Sequence, residues 1–191
     1  MNPVALKGRK VVGAEGYILG QISDLQVDFK IWKATGFHVI LSDEAMAELN
    51  FTKPFLRRTV VCLPTQLIKA IGDVVTLTAP VRNLKDIAEK EVQMSTVRIE
   101  GKKVVSEKGY VVGEVEALDV DFDSWHVNGL QVGLTDEAAT DLGFKRPLLS
   151  KVGVIVPSSA VGSIGNFVNL DKAIENLKSL IECIRSCQLQ K

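Results

Sequence analysis

The chain carries no net charge, since 23 lysines and arginines meet 23 aspartates and glutamates. A dedicated nucleic-acid binder needs a basic field to gather phosphates, so that class starts weak. Histidine and cysteine are scarce: two histidines, His38 and His126, and three cysteines, Cys62, Cys183 and Cys187, in 191 residues. Neither H-x-x-x-H nor C-x-x-C occurs, which removes the usual metal-ligand spacings. An odd number of cysteines builds no disulfide framework and fits a reducing compartment. There is no glycine-rich phosphate loop of recognised spacing and no G-x-S-x-G elbow, so the sequence predicts neither an enzyme nor a bound cofactor. No apolar run approaches the roughly 20 residues that span a bilayer, and the opening MNPVALKGRK lacks the apolar stretch of a secretory signal. The expectation is a cytoplasmic protein that reaches a membrane only through a partner.

What is present is a core and a repeat. Apolar residues make up 46% of the chain and charged residues 24%, too apolar for disorder, so the whole chain should fold. Residues 24–36 read DLQVDFKIWKATG, and a shift of 93 positions, from Asp24 to Ala117, gives ALDVDFDSWHVNG. The same shift lays GRKVVGAEGYILGQI on GKKVVSEKGYVVGEV and VILSDEAMAELNF on VGLTDEAATDLGF without a gap. It continues through KPFLRRTVVCLPTQLIKAIGDVVTL on RPLLSKVGVIVPSSAVGSIGNFVNL, and then RNLK on ENLK. Two homologous units account for nearly the entire chain.

Each unit carries the signals of a small, strongly bent β structure. Glu15-Gly16 and Lys108-Gly109 separate two short strand patterns, and glycine there admits the positive φ of a hairpin turn. Along the second strand Ile18, Gly20 and Ile22 alternate on one face, but Leu25, Val27 and Phe29 continue in the opposite phase. The slip recurs between Val115 and Leu118, Val120 and Phe122, and predicts a bulge or sharp bend that curls the sheet. Phe37, Val39 and Leu41, with Leu130, Val132 and Leu134, give a third strand. SDEAMAELN and TDEAATDLG predict one short helix per unit, capped by Ser42 or Thr135, started by acids and ended at Asn50 or Gly143. Further strands are expected near 58–63, 73–78, 151–156 and 166–170, with Pro64 and Pro157 as stops. In DKAIENLKSLIECIRSCQ, Ile174, Leu177, Leu180, Ile181 and Ile184 fall at helical spacing and predict a C-terminal amphipathic helix. The shorter PVRNLKDIAEKE, with Val81, Leu84 and Ile87, predicts a linker helix. The fold class is therefore mainly β with short helices: a small barrel over 1–80, a linker helix over 81–96, a second barrel over 97–171 and a C-terminal helix over 172–191.

With those residues in hand, the chain resembles the tandem PRC-barrel proteins, a module seen in the photosynthetic reaction centre H subunit and in the ribosome maturation factor RimM. The opening KVV strand, the Gly-Tyr turn, the x-x-G-x-V strand entering x-V-D-F, and the terminal L-P followed by I-G-D, with V-P and I-G-N at the same places in the second copy, carry the resemblance, which spans both halves. The L-G-F-x-x-P-L-L stretch, with Phe144, Pro147, Leu148 and Leu149, is similar to the archaeal cell-division adaptors of the CdpB type; the first repeat has Asn50 and Phe55 instead. That resemblance implies an adaptor working with SepF, the membrane anchor of the FtsZ ring, and with other PRC-barrel subunits, while the RimM likeness implies the alternative of an rRNA-associated maturation factor. RimM joins its barrel to a separate N-terminal domain, for which this chain leaves no residues, so the expectation favours the adaptor.

Plainer roles account for several of the candidate site residues. Asp28 with Asp121, Asp43 with Asp136 and Glu44 with Glu137 recur in both copies, and turns and helix starts account for them. His38 faces Gln131 across the repeat and His126 faces Lys33, so the histidines form no repeated site. Cys183 and Cys187 lie one helical turn apart opposite Lys90 and Met94, and read as free, partly buried thiols. Lys53, Arg57 and Arg58 lie in the same neighbourhood of the repeat as Lys145, Arg146 and Lys151, a basic face better suited to an acidic protein partner than to nucleic acid. Trp32 and Trp125 are expected to lid their own barrels beside Phe29 and Phe122, with an interface anchor as the alternative. The partner-binding candidates are Trp32, Arg57, Arg58, Trp125, Phe144, Leu148, Leu177 and Ile181, the last two as a homodimer seam on the C-terminal stripe. A duplicated unit that keeps its glycines, its Asp-Phe and its Trp but changes its surface is expected of an adaptor binding different proteins.

Overall fold

The structure is a computed structural model that describes residues 6–52, 58–87, 99–145 and 151–185. It is mainly β with a few short helices, and it divides into two compact units. The first comprises residues 1–97 together with 122–126, and the second 98–121 together with 127–191.

In the first unit β1 (Lys10–Val12) and β2 (Ile18–Asp28) form the expected hairpin, closed at Gly16 with φ 92°. Val11 pairs with Gly20 but Val12 pairs with Ile18, so the ladder steps over Leu19. This bulge turns Leu19 into the core and leaves Ile18 46% exposed, which corrects the simple alternation expected of Ile18, Gly20 and Ile22. A second register shift, between Ile22 and Asp24 in the pairing of β2 with β3 (Lys33–Leu41), falls where the hydrophobic phase slips in the sequence. Each bulge adds a residue to one strand and bends it, which is how an 11-residue strand stays on a small core.

Helix α1 (Asp43–Glu48) follows β3. Ser42 caps it, its hydroxyl accepting from the Ala45 N–H at 3.1 Å, and Asp43 and Glu44 sit in the positive first turn. Asn50, with φ 55°, ends it: the Asn50 and Phe51 amides return to the carbonyls of Ala47 and Met46, the paired bonds of a Schellman motif. Then come β4 (Val60–Pro64), a 3-10 turn over Thr65–Leu67, β5 (Ile68–Ile71) and β6 (Val75–Leu77). The strand order is β5-β6-β1-β2-β3-β4, with β6 parallel to β1; among the described residues no ladder joins β4 to β5, so the sheet is not closed. Leu19, Ile22, Phe37, Val39, Leu63, Val75 and Leu77 belong to one buried core. Each such burial is worth roughly 1.5–3 kcal/mol against exposure. Val81 and Leu84, on a 3-10 turn over Val81–Leu84, are buried in the same core, and Ile87 packs against it. The start of the expected linker helix thus belongs to the first unit, while residues 88–96 lie outside the described residues.

The second unit repeats the plan. Its elements are β7 (Lys103–Val105), β8 (Val111–Asp121), β9 (His126–Leu134, whose first residue falls in the first unit), α2 (Asp136–Asp141), β10 (Gly153–Pro157), β11 (Val161–Ile164) and β12 (Val168–Leu170). The hairpin bulge recurs, stepping over buried Val112, and Thr135 caps α2 through the Ala138 N–H at 3.1 Å. Gly143, with φ 82°, ends α2 by the same pair of bonds, from Gly143 to Thr140 and from Phe144 to Ala139.

The C-terminal segment departs from the expected long helix. Among the described residues of this segment only α3 (Ile174–Leu177) is helical; the chain then turns, and Glu182–Arg185 form β13, antiparallel to β10. The reason is competition: a strand edge on β10 offers a backbone ladder to a segment whose helical stripe buries Leu177 fully but leaves Leu180 42% exposed.

Candidate functional site

The most distinctive local geometry is the pair of tryptophan turns. After β2, the Asp28 carboxylate accepts from the Lys30 N–H at 2.9 Å and folds the chain back. Trp32 then takes φ 51°, a left-handed conformation that costs a side chain with a Cβ about 1–2 kcal/mol. Its ring stands edge-on to Phe29 at 5.5 Å and 83°, a favourable aromatic pair that offsets part of the cost. Ile31, between them in sequence, is 59% exposed. The second copy reproduces this with Trp125 at φ 61° and Phe122 at 5.4 Å and 78°.

Residues 122–126 belong to the first unit. Within it the Trp125 carbonyl accepts from the Ala34 N–H at 2.8 Å, Lys33 is the register partner of His126, and Phe122 and Trp125 pack against the core that holds Phe37 and Leu63. The expectation that Trp125 lids its own repeat is therefore corrected. Apolar area buried on a ready-made core outweighs the alternative of a ring left at a solvent-facing tip.

The other candidates fall into distinct environments. Phe144 is buried, as the residue after Gly143 in the α2 stop, and Leu177 is fully buried, so both act as core residues of the second unit. Ile181 is half-buried and its N–H bonds the Leu177 carbonyl at 3.0 Å. Arg58 is exposed. Arg57, Leu148 and Cys187 lie outside the described residues, and Cys183 lies on β13 opposite Val154. Cys62 is buried, with its thiol 2.7 Å from the Gln26 side-chain oxygen.

A cluster that sequence inspection passed over sits beside α2. Tyr110 lies beside the carboxylates of Asp141 and Glu137, and partial burial followed by those two negative charges pushes its pKa above the ordinary 10.0. The spacing of Glu137 and Asp141, one helical turn apart, was the available signal. It was ambiguous, because Tyr17 with Glu44 and Glu48 has the same spacing and Tyr17 is 71% exposed. Nearby, Lys108 pairs with Glu175 at 3.4 Å; the Glu175 backbone N–H and then the Lys108 charge hold that carboxyl below its ordinary range.

Among the described residues no group of three or more His, Cys, Asp or Glu side chains is placed to hold a metal ion. No described helix is long and apolar enough to cross a membrane. The chain matches no protein-family model and no curated protein.

Proposed function

We propose that this chain is a protein-interaction adaptor built of two small PRC-type barrels in tandem, and that it serves archaeal cell division by bridging a SepF-like membrane anchor of the FtsZ ring to another PRC-barrel protein. The observation that carries the adaptor reading is a division of labour between repeated and changed residues. Bulged hairpins, capped helices and left-handed tryptophans recur at equivalent positions, whereas surface positions diverge: Lys30-Ile31 against Asp123-Ser124, and exposed Tyr17 against half-buried Tyr110. A catalyst that duplicates keeps its reactive groups, while an adaptor keeps its frame and changes its contacts. The division assignment rests on the L-G-F-x-x-P-L-L likeness. The reading places the protein in the cytoplasm, reaching the membrane only through its partner.

The experiment is a crosslinked pull-down of tagged protein from its native cells, with mass spectrometry of the partners. Recovery of SepF, FtsZ or another PRC-barrel protein is the expected result. Recovery of small-subunit ribosomal proteins and rRNA without division proteins overturns it in favour of a RimM-like role.

A further inference from the structure

Helices α1 and α2 carry their own stop signals, Asn50 and Gly143 in the left-handed conformation. Helix α3 has none. Lys178, which follows it, keeps right-handed helical angles (φ −53°, ψ −36°), and the Leu180 and Ile181 amides still return to the Leu177 carbonyl at 2.9 and 3.0 Å. Lys178-Ser179-Leu180-Ile181 contains no glycine, proline or asparagine. Nothing local ends this helix, so its end is imposed from outside, by the pairing of β13 with β10.

That pairing is slight. It joins Gly153 to Arg185, Val154 to Cys183 and Ile155 to Glu182, with a register shift between the first two pairs. Among the described residues β13 pairs with β10 alone. A strand held by one short ladder, behind a hinge whose sequence favours continuing the preceding helix, has the parts that strand exchange between identical chains requires.

We propose that β13 exchanges between two copies of this chain: residues 178–181 straighten by continuing α3, and Glu182–Arg185 of each copy pair with the β10 edge of the other. The occupant is fixed by the structure itself, because the β10 edge already accepts this segment in this register, and the same residues meet in both arrangements. The dimer is then isologous and leaves the core of each unit intact. This seam replaces the apolar helix stripe expected from the sequence, since Leu177 is buried within its own unit. The inference stands whether or not the division reading holds.

The test uses the full chain in the background Cys62→Ala, Cys187→Ser, with Val154→Cys placed opposite Cys183. Directly opposed residues of an antiparallel pair lie about 4.5–5.5 Å apart at Cα, within disulfide reach. Light scattering of the unsubstituted chain should show a dimer fraction that grows with concentration; a monomer throughout overturns the proposal. Oxidising the isolated dimer of the Cys variant should give a covalent dimer on a non-reducing gel, whereas an intrachain disulfide alone refutes exchange. The double substitution Cys183→Pro, Ile184→Pro removes a ladder donor whichever way the strand faces. Loss of the dimer with the far-ultraviolet circular dichroism of the β units unchanged supports the seam, and a dimer that survives it places the seam elsewhere.

Discussion

Replacing Gly20 with alanine should be among the most damaging methyl additions in the chain. At the hairpin bulge β2 passes so close to β3 that a Cβ on Gly20 would meet the Ile40 carbonyl oxygen well inside van der Waals contact, with the Ile40 carbonyl carbon at 2.9 Å and the Leu41 Cα at 3.0 Å. All three are backbone atoms of a paired strand, so relief requires separating the ladder where Gly20 pairs with Leu41. Overpacking a core costs about 1–3 kcal/mol when side chains can yield, and a backbone obstacle moves the expectation to the top of that range or above, about 3 kcal/mol or more. Two other glycines calibrate the series. Gly16, at φ 92° with open space around it, should lose about 1–2 kcal/mol on substitution by alanine through backbone strain alone. Gly72, without a positive φ and with only the Val74 carbonyl at 3.9 Å, should be unchanged or gain about 0.4–1 kcal/mol from a stiffer unfolded chain. Urea unfolding with linear extrapolation ranks the three variants. A Gly20→Ala loss no larger than that of Gly16→Ala would refute close strand approach as the reason for glycine in the x-x-G-x-V strand.

Ser42→Ala and Thr135→Ala should each cost about 1 kcal/mol in the same assay, because each removes the acceptor for one helix amide at 3.1 Å; restoration by aspartate at either site checks that capping is the cause. Leu177→Ala should cost about 2–5 kcal/mol, as expected for a fully buried leucine, and a loss under 1 kcal/mol would return Leu177 to the surface stripe read from the sequence. Tyr110, whose pKa is raised in the folded state, favours folding below its unfolded pKa near 10, and that contribution disappears as pH climbs through the folded value. Tyr110→Phe should therefore flatten the alkaline fall in stability relative to the unsubstituted chain, and identical pH profiles would remove the influence of Asp141 and Glu137 on Tyr110 from the account. Glu175 has the opposite sign: its lowered pKa supports folding above the ordinary carboxyl range and ceases to as pH falls through the folded value, an effect that Lys108→Met and salt should both diminish.

Features decided by neighbours in sequence were legible without a structure. The Gly16 turn, the Ser42 and Thr135 caps, the left-handed Asn50 and Gly143, and the stops at Pro64 and Pro157 each follow from one or two residues. The register shift between Ile22 and Asp24 was legible for a different reason: a period-two pattern records its own phase, and two copies showed the same slip. The first bulge was not, because Leu19 and Ile18 are both apolar and only the ladder decides which of them turns inward. The strand at Glu182–Arg185 was hidden because the local pattern is helical and the competing bonds come from β10, some 30 residues away in sequence. The placement of Trp125 was hidden for the same reason, since no periodicity in the chain reports which core a ring will meet. Among the partner candidates, Phe144 and Leu177 illustrate one confusion: a large apolar residue at a regular spacing reads the same whether its contact is its own core or another protein.

Because Phe122 and Trp125 complete the core of the first unit, that unit is not finished when its own repeat has been synthesised. Translation must proceed from residue 97 to residue 126, roughly 30 residues more, which at about 5–20 residues per second is a wait of about 1.5–6 s. During that interval the nascent first repeat holds an apolar surface that the Phe122 and Trp125 rings have yet to cover.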